Sequence, residues 1–431
     1  MNNQPAPIFL SRRFFPYFVT QFLGAFNDNI YKNALLLFVA FASVDDLPMS
    51  STLFINLAAG LFILPFFLFS ASAGVLTDQC EKSTLIRMVK LAEVVIMLLG
   101  AISFLTQSYI ALLFLLFLMG AQSAFFGPVK YALLPQHLKP QELLKGNAWV
   151  ETGTFLAILF GTIGAGFIVA APSAYSITAI AVVSFALLGF ISSLFIPKAK
   201  AKISAVKFEW KPVQHTKQTL LLVKQHKTIY AAIIAISWFW FLGASYLTQF
   251  PNFTKHYLNG DSTSVSFLLA LFSVGIAVGS LLCAKLSHQK INFKLMLLGG
   301  FGITVCSLAL GLATPKYTDT LITISTLFTS SHLYPVFIAL LVLGICGGLF
   351  IVPLYTLVQT LACDQTRAQV IAANNIFNAL FMVGSAIIGI ICLSIINMTI
   401  PDFFILLGLL NLAMISYLTK YFKNLTNLEA N

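Results

Sequence analysis

The chain has 431 residues, of which 58% are hydrophobic and 9% charged, with a formal net charge of +11 at pH 7. A soluble globular protein carries about 25% charged residues, so this composition excludes that class and describes an integral membrane protein.

Apolar stretches of about 20 residues cross about 30 Å of hydrocarbon as helix. The chain offers about twelve: 14–42, 52–76, 84–106, 109–131, 147–170, 174–197, 229–257, 263–286, 293–314, 332–361, 369–396 and 401–423. The first is unusual. Its "QFLGAFNDNIYKNALLLF" (21–38) holds an aspartate, a lysine and three asparagines. Gln21, Asp28 and Lys32 are seven and four apart, so they share one helix face with Gly24 and Ala25 beside them. Two charges facing lipid would cost about 5–7 kcal/mol, at about 2.5–3.5 kcal/mol each, so the stripe faces protein or water. An Asp28–Lys32 pair buried for packing is the plainer reading, and interhelical glue is the plainer role for the asparagines.

Further along, "GVLTDQCEKSTLIR" follows the second span and contains Gly74, Asp78 and Lys82. The third span carries Glu93, which either faces a vestibule or pairs with Lys90. The fourth ends near Lys130, and Asn147, Glu151 and Thr154 lie along the fifth. In the seventh stand Trp238, Trp240, Ser245, Gln249 and Asn252, and in the eleventh Asn374, Asn375 and Asn378. Charges deep in the spans thus belong to the first half, while the second supplies amides, hydroxyls and aromatic rings. Packing is the plainer role for both tryptophans. The set Asp28, Lys32, Lys130 and Glu151 sums to zero charge, which suits a zwitterion or phosphodiester, with lysine as phosphate partner. An amphiphile fits that set.

The polar segment "PKAKAKISAVKFEWKPVQHTKQTLLLVKQHK" divides six spans from six. Residues 1–197 are expected as one six-helix bundle, 198–228 as a basic cytoplasmic linker, 229–423 as a second bundle and 424–431 as a cytoplasmic tail. The halves repeat: "FLGAF" at 22–26 matches "FLGAS" at 241–245, Gly120 and Tyr131 match Gly344 and Tyr355, and Asn147 and Glu151 match Asn374 and Asn378. Leu354 stands at the repeat position of Lys130. With the N-terminus inside, 22 of the 25 Lys and Arg fall in cytoplasmic segments, Lys90 among them, and only Lys255 and Lys316 fall outside. Both termini are therefore expected in the cytoplasm, no cleaved signal is expected, and the positive charge follows from topology rather than from nucleic acid binding. Basic loops of this kind also meet anionic lipid headgroups. The six cysteines are scattered, without a CxxC pair, and read as small packing residues.

Six plus six helices around a basic linker is the architecture of major facilitator transporters. The Gly74, Asp78 and Lys82 spacing resembles that superfamily's loop motif, although Gln79 replaces the basic residue expected after the aspartate. That resemblance implies a gating role for Asp78 against a helix end in the outward-open state; a solvated loop acid is the alternative. More specifically, "TQFLGAFNDNIYKNALLLF", "FGPVKYALLPQHL", "ELLKGNAWVETGTFLAILFGTIGAG" and "RAQVIAANNIFNALFMVGSAIIG" resemble the bacterial lysophospholipid transporter family, above all the transporter portion of members fused to an acyltransferase and an acyl-acyl-carrier-protein synthetase. The resemblance implies flipping of lysophosphatidylethanolamine and lysophosphatidylglycerol from the outer to the inner leaflet of the inner membrane. It places Asp28, Lys130 and Glu151 on the family's functional positions. Reacylation then falls to a separate enzyme, because the chain ends eight residues after its last span. No nucleophile motif, phosphate loop or metal-spaced ligand set is present, so neither enzyme activity nor a cofactor or metal is expected, and the expected unit is a monomer. Rival readings are a proton-coupled transporter of a drug or siderophore and, last, a membrane scaffold.

Overall fold

The computed structural model describes residues 8–42, 47–199, 208–288, 290–315 and 331–428. Lys200, Lys202, Lys207 and Lys316, with the end of the expected tail at 429–431, lie outside them.

The described residues form thirteen α-helices: α1 (Phe15–Phe41), α2 (Ser51–Gln79), α3 (Lys82–Leu105), α4 (Tyr109–His137), α5 (Leu143–Val169), α6 (Ala174–Leu194), α7 (Pro212–Gln225), α8 (Lys227–Tyr257), α9 (Ser262–Leu286), α10 (Phe293–Ala313), α11 (Tyr334–Leu361), α12 (Arg367–Gly389) and α13 (Ile400–Leu428). A π-helical turn, Ile390–Ile395, prolongs α12. Eleven of the helical segments are long and apolar enough to cross a membrane. α1 has the length, at 27 residues, but its amides and charges lower its apolarity. Every expected span coincides with one of these helices. α7 was not expected: it forms inside the linker segment, where a short polar helix leaves no apolar stretch to read.

Side chains set several starts by accepting backbone N–H groups that a helix leaves unpaired. Ser50 caps α2 through Leu53, Glu81 caps α3 through Ser83 and Thr84, Asp261 caps α9 through Ser264 and Asn292 caps α10 through Leu295. Burial opposes ionisation of Glu81, yet hydrogen bonds from Thr84, Ala199 and Ser83 outweigh it and hold the carboxyl at about 2.

By contact the chain divides into two compact units. The described parts of Met1–Gly146, Ala157–Gln225 and Gln359–Ile376 make one, and those of Asn147–Leu156, His226–Val358 and Phe377–Asn431 the other. In the first, α2 packs on α4, α3 on α4 and α6, α1 on α6, and α7 along α2. Its core joins Tyr31, Phe38, Met97, Phe104, Leu112 and Met119. Tyr31 donates to the Leu112 carbonyl at 3.0 Å, and its ring occupies space left by Gly100, where a Cβ would stand 2.9 Å from Cε2. Met88, Leu91, Val95, Leu98 and Ile102 of α3 are exposed, as on a face that meets lipid. In the second unit α10 packs on α13, and α8 on α9 and α13. Trp238 donates to Asn411 at 2.9 Å, and Asn411 donates to the Gly300 carbonyl and to Thr304.

The expected repeat has a structural counterpart. Gly120 of α4 lies against the Phe62 carbonyl of α2, and Gly344 of α11 against the Phe272 carbonyl of α9; neither leaves room for a Cβ. Small residues at such contacts let helix backbones approach closely.

Candidate functional site

Polar side chains buried among apolar helices must find partners, and in the first unit they form a chain of contacts. Asp28 Oδ2 accepts the Ser123 hydroxyl at 2.9 Å, and Ser123 Oγ is also 3.3 Å from Gln122 Oε1. Gln122 Nε2 donates to Glu93 Oε2 at 3.0 Å. The same oxygen receives the Lys90 ammonium, and both of those side chains are 1% accessible.

Lys90, which the sequence reading counts with the cytoplasmic segments, is fully buried in the first unit. Lys90 is buried in α3 because α1 and α6 present glycines to it: a Cβ on Gly24 would stand 2.8 Å from its Nζ, and one on Gly189 3.1 Å from its Cε. The Phe126 ring lies 5.7 Å from Nζ. Glu93 thus takes the second of its two expected roles, pairing with Lys90.

Asp28 and Lys32 are not within ion-pair distance of each other, so they do not form a direct contact pair. Lys32 Nζ stands 5.5 Å from the Phe62 ring centroid instead, within cation–π reach. Two of the α1 asparagines are interhelical glue: Asn27 donates to the Val182 carbonyl at 3.1 Å and Asn33 to Thr162 at 3.0 Å. Asn29 turns back to Ala25 of its own helix. Among the described residues Asp28 Oδ1, Glu93 Oε1 and both amide atoms of Asn374 are buried without a hydrogen-bond partner. An unpaired buried polar group costs about 1–3 kcal/mol, more if charged, so such atoms suit contact with a polar ligand. Lys130 holds its ammonium 4.9 Å from the neighbouring Tyr131 ring.

The expected loop motif has a definite partner in the same unit. Asp78 Oδ1 accepts the Ala368 N–H at 3.0 Å, and Oδ2 accepts the Gln369 N–H at 3.2 Å and its side-chain amide at 3.3 Å. Ala368 and Gln369 are the second and third residues of α12, so Asp78 satisfies open amides at the positive end of that helix. The solvated-acid reading fails, since Asp78 is 1% exposed. Gly74 makes the approach possible: a Cβ there would meet Ala372 Cβ at 2.7 Å and the Ala368 carbonyl oxygen at 2.9 Å. Lys82, also buried, points back to the Thr77 carbonyl at 3.4 Å.

Asn147, Glu151, Trp240 and Asn378 belong to the second unit. Asn147 donates to Thr356 at 3.1 Å, and Glu151, one turn further along α5, is fully buried. Trp240 stacks on Phe155 with ring centroids 5.9 Å apart and donates to the Tyr355 hydroxyl at 3.1 Å. Asn378 accepts the Ser237 hydroxyl at 2.8 Å. Asp28, Lys32 and Lys130 are thus gathered in one unit, with Asn374, while Glu151, Asn147, Trp240 and Asn378 are gathered in the other. Sequence reasoning missed Gln122 and Ser123; the adjacent polar pair in "GAQSAFF", mid-span, was the available signal.

Residues 17–385 match the model of the Major Facilitator Superfamily. The chain belongs to that superfamily. This facilitator is therefore a multi-pass membrane transporter and not an enzyme. It is 27% identical over 385 residues to the "Lysophospholipid transporter LplT" of Pectobacterium carotovorum subsp. carotovorum (strain PC1), covering 87% of this chain and 84% of that protein. To the protein of the same name from Serratia proteamaculans (strain 568) it is 26% identical, over 81% of this chain and 80% of that one. Among solved structures, the human organic anion transporter MFSD10 (TETRAN) superposes with a TM-score of 0.75 at 13% identity, over 94% of the facilitator and 99% of that chain. A bacterial homologue of the iron transporter ferroportin in an outward-facing state gives 0.66, also at 13% identity, over 95% and 99%. At such identities the two structures establish the shared fold alone. Among the described residues of the facilitator, no three His, Cys, Asp or Glu side chains are grouped to hold a metal ion.

Proposed function

We propose that this facilitator moves lysophospholipids, chiefly lysophosphatidylethanolamine and lysophosphatidylglycerol, from the outer to the inner leaflet of a bacterial inner membrane by alternating access. The observation that carries the proposal is the relationship, over 87% of the chain, to a protein named a lysophospholipid transporter. The chemistry of the buried groups supports it. The Asp28 carboxylate keeps one oxygen without a protein partner, as a site for a headgroup amine requires. Lys32 and Lys130 carry the positive charge for a phosphodiester. The acyl chain, whose burial is worth about 0.8 kcal/mol per CH₂, runs against apolar and aromatic surface such as Phe155 and Trp240 or out into lipid. Asn374 of the first unit, and Glu151, Asn147 and Asn378 of the second, are further substrate contacts in this reading.

Asp78, with Gly74 and Lys82, serves as the conformational latch in the same proposal. Its hold on the first turn of α12 belongs to one state of the cycle, and release of those bonds accompanies the other. Both termini lie in the cytoplasm, as the lysine and arginine distribution favours. The protein acts as a monomer, and its product passes to a separate acyltransferase. Purified protein in liposomes carrying labelled lysophosphatidylethanolamine tests the proposal: inward movement is expected, lost in Asp28→Asn while that variant still purifies as a single species. A parent protein that moves no lysolipid would overturn it.

One observation favours a second reading, proton coupling. The single Ser123 proton faces two acceptors, Asp28 Oδ2 and Gln122 Oε1. That geometry accepts Asp28 charged, with Ser123 donating to it, or protonated, with Asp28 donating to Ser123 and Ser123 to Gln122. Transport that survives a protonophore supports uncoupled flipping; transport abolished by it supports the second reading.

A further inference from the structure

α7 is too short to span a membrane: its 14 residues reach about 21 Å. In chain order it lies between two spans, α6 and α8. Its place is fixed by contacts with α2. His215 Nδ1 stands 3.0 Å from Ser72 Oγ, and the Trp210 ring centroid lies 6.0 Å from that of Phe69. Phe208 closes the cluster, 5.7 Å from His215 and 6.0 Å from Trp210. Ser72 and Phe69 precede the end of α2 at Gln79 by seven and ten residues, a distance of about 10–15 Å along a helix. α7 therefore runs beside a spanning helix near the depth where hydrocarbon meets headgroups.

Its two faces differ in kind. His215, Thr219 and Val223, four residues apart, are buried. On the opposite face Val213, Lys217, Leu221 and Lys224 follow at helical spacing, with Val213 and Leu221 82% and 50% exposed, and Trp210, which precedes the helix and rests on Phe69, is 52% exposed. No acid occurs within the helix. The nearest, Glu209, is already paired with Lys211 at 2.5 Å. Lys217 and Lys224 make no ion pair among the described residues. Large apolar groups between lysines, at this depth, match the boundary of an anionic leaflet: the rings and aliphatic groups enter the acyl edge, and the lysine stems lie flat and lift their ammonium groups to the phosphates.

We propose that the outer face of α7 is a binding surface for anionic phospholipid headgroups, separate from the transport site and used by bilayer lipid rather than by cargo. The surface anchors the linker through α7, and through Ser72 and Phe69 it is joined to the same helix that carries Gly74 and Asp78.

The test reads depth, not transport. Single nitroxide labels are placed at Val213→Cys, Leu221→Cys and Gln218→Cys in the full chain, in a Cys80→Ser/Cys363→Ser background, since those are the cysteines not buried. The protein is held in nanodiscs of phosphatidylcholine with or without phosphatidylglycerol. With phosphatidylglycerol, the ratio of oxygen to nickel-chelate accessibility is expected to be severalfold higher at positions 213 and 221 than at 218. The difference should shrink without the anionic lipid and in Lys217→Gln/Lys224→Gln. Equal depth in both lipid mixtures, or labels at 213 and 221 as open to the nickel chelate as 218, would overturn the proposal. So would labels closed to both reagents, which would mean that protein covers the face.

Discussion

Ser123 donates its only hydroxyl proton to Asp28 across 2.9 Å, from a neighbouring helix. The carboxylate on which headgroup recognition is placed is therefore aimed by a neutral side chain. Hydrogen bonds to charged groups contribute about 1.5–3 kcal/mol, roughly 10- to 150-fold in an equilibrium or rate. Ser123→Ala is expected to lower lysophosphatidylethanolamine transport within that range and to affect the amine-free lysophosphatidylglycerol less, while Ser123→Thr keeps most activity. Parallel flux assays with the two substrates check this; equal losses for both would indicate general loosening of the helices.

The Lys90–Glu93 pair predicts a stability asymmetry. Removing one partner of a buried pair costs about 3–5 kcal/mol, because it leaves the other charge unpaired, whereas apolar replacement of both is often tolerated. Lys90→Met is expected to lower the thermal midpoint of the purified protein sharply, and Lys90→Met/Glu93→Leu to recover most of it. A double variant no more stable than the single one would contradict that account.

At the α2–α12 contact, Asp78→Asn removes the negative charge but leaves one oxygen to accept, and Gly74→Ala forces a methyl into a gap with no room for it. Both are expected to cut transport at least tenfold, about 1.4 kcal/mol, without loss of monodispersity. Full activity in both would remove the latch from the mechanism while leaving the cap as a structural fact.

Glu81 lies between spans and carries a pH signature. Its carboxyl sits at about 2 rather than 4.5, so on acidification the unfolded chain takes up the proton first. The stability it contributes is present in full above about pH 4.5 and is lost as pH falls toward about 2. Thermal midpoints between about pH 5 and about pH 3 should fall more steeply in the parent than in Glu81→Gln; identical slopes would refute the assignment.

The spanning helices were legible because a bilayer imposes one length and one polarity on each, and every expected stretch became a helix. The polar face of α1 was legible for the same reason, as charges in a span demand an account. α7 escaped because a short helix of mixed composition leaves no such signature. The burial of Lys90 escaped for a different reason: its neighbours in sequence are polar enough for a membrane edge, and what buries it is the space at Gly24 and Gly189, on two other helices. Ser123 carries no charge, so nothing in its own chemistry distinguished it from a packing hydroxyl until Asp28 was found beside it.

Gly120 against Phe62 and Gly344 against Phe272 are the same contact made twice. At other matched positions the two halves disagree: Lys130 against Leu354, Glu151 against Asn378. A contact made in both halves serves the architecture they share, whereas a charge present in one half alone does not depend on it. The glycine interlock thus sets how each bundle closes, and it leaves positions such as 130 and 151 free to differ between the halves without disturbing that packing.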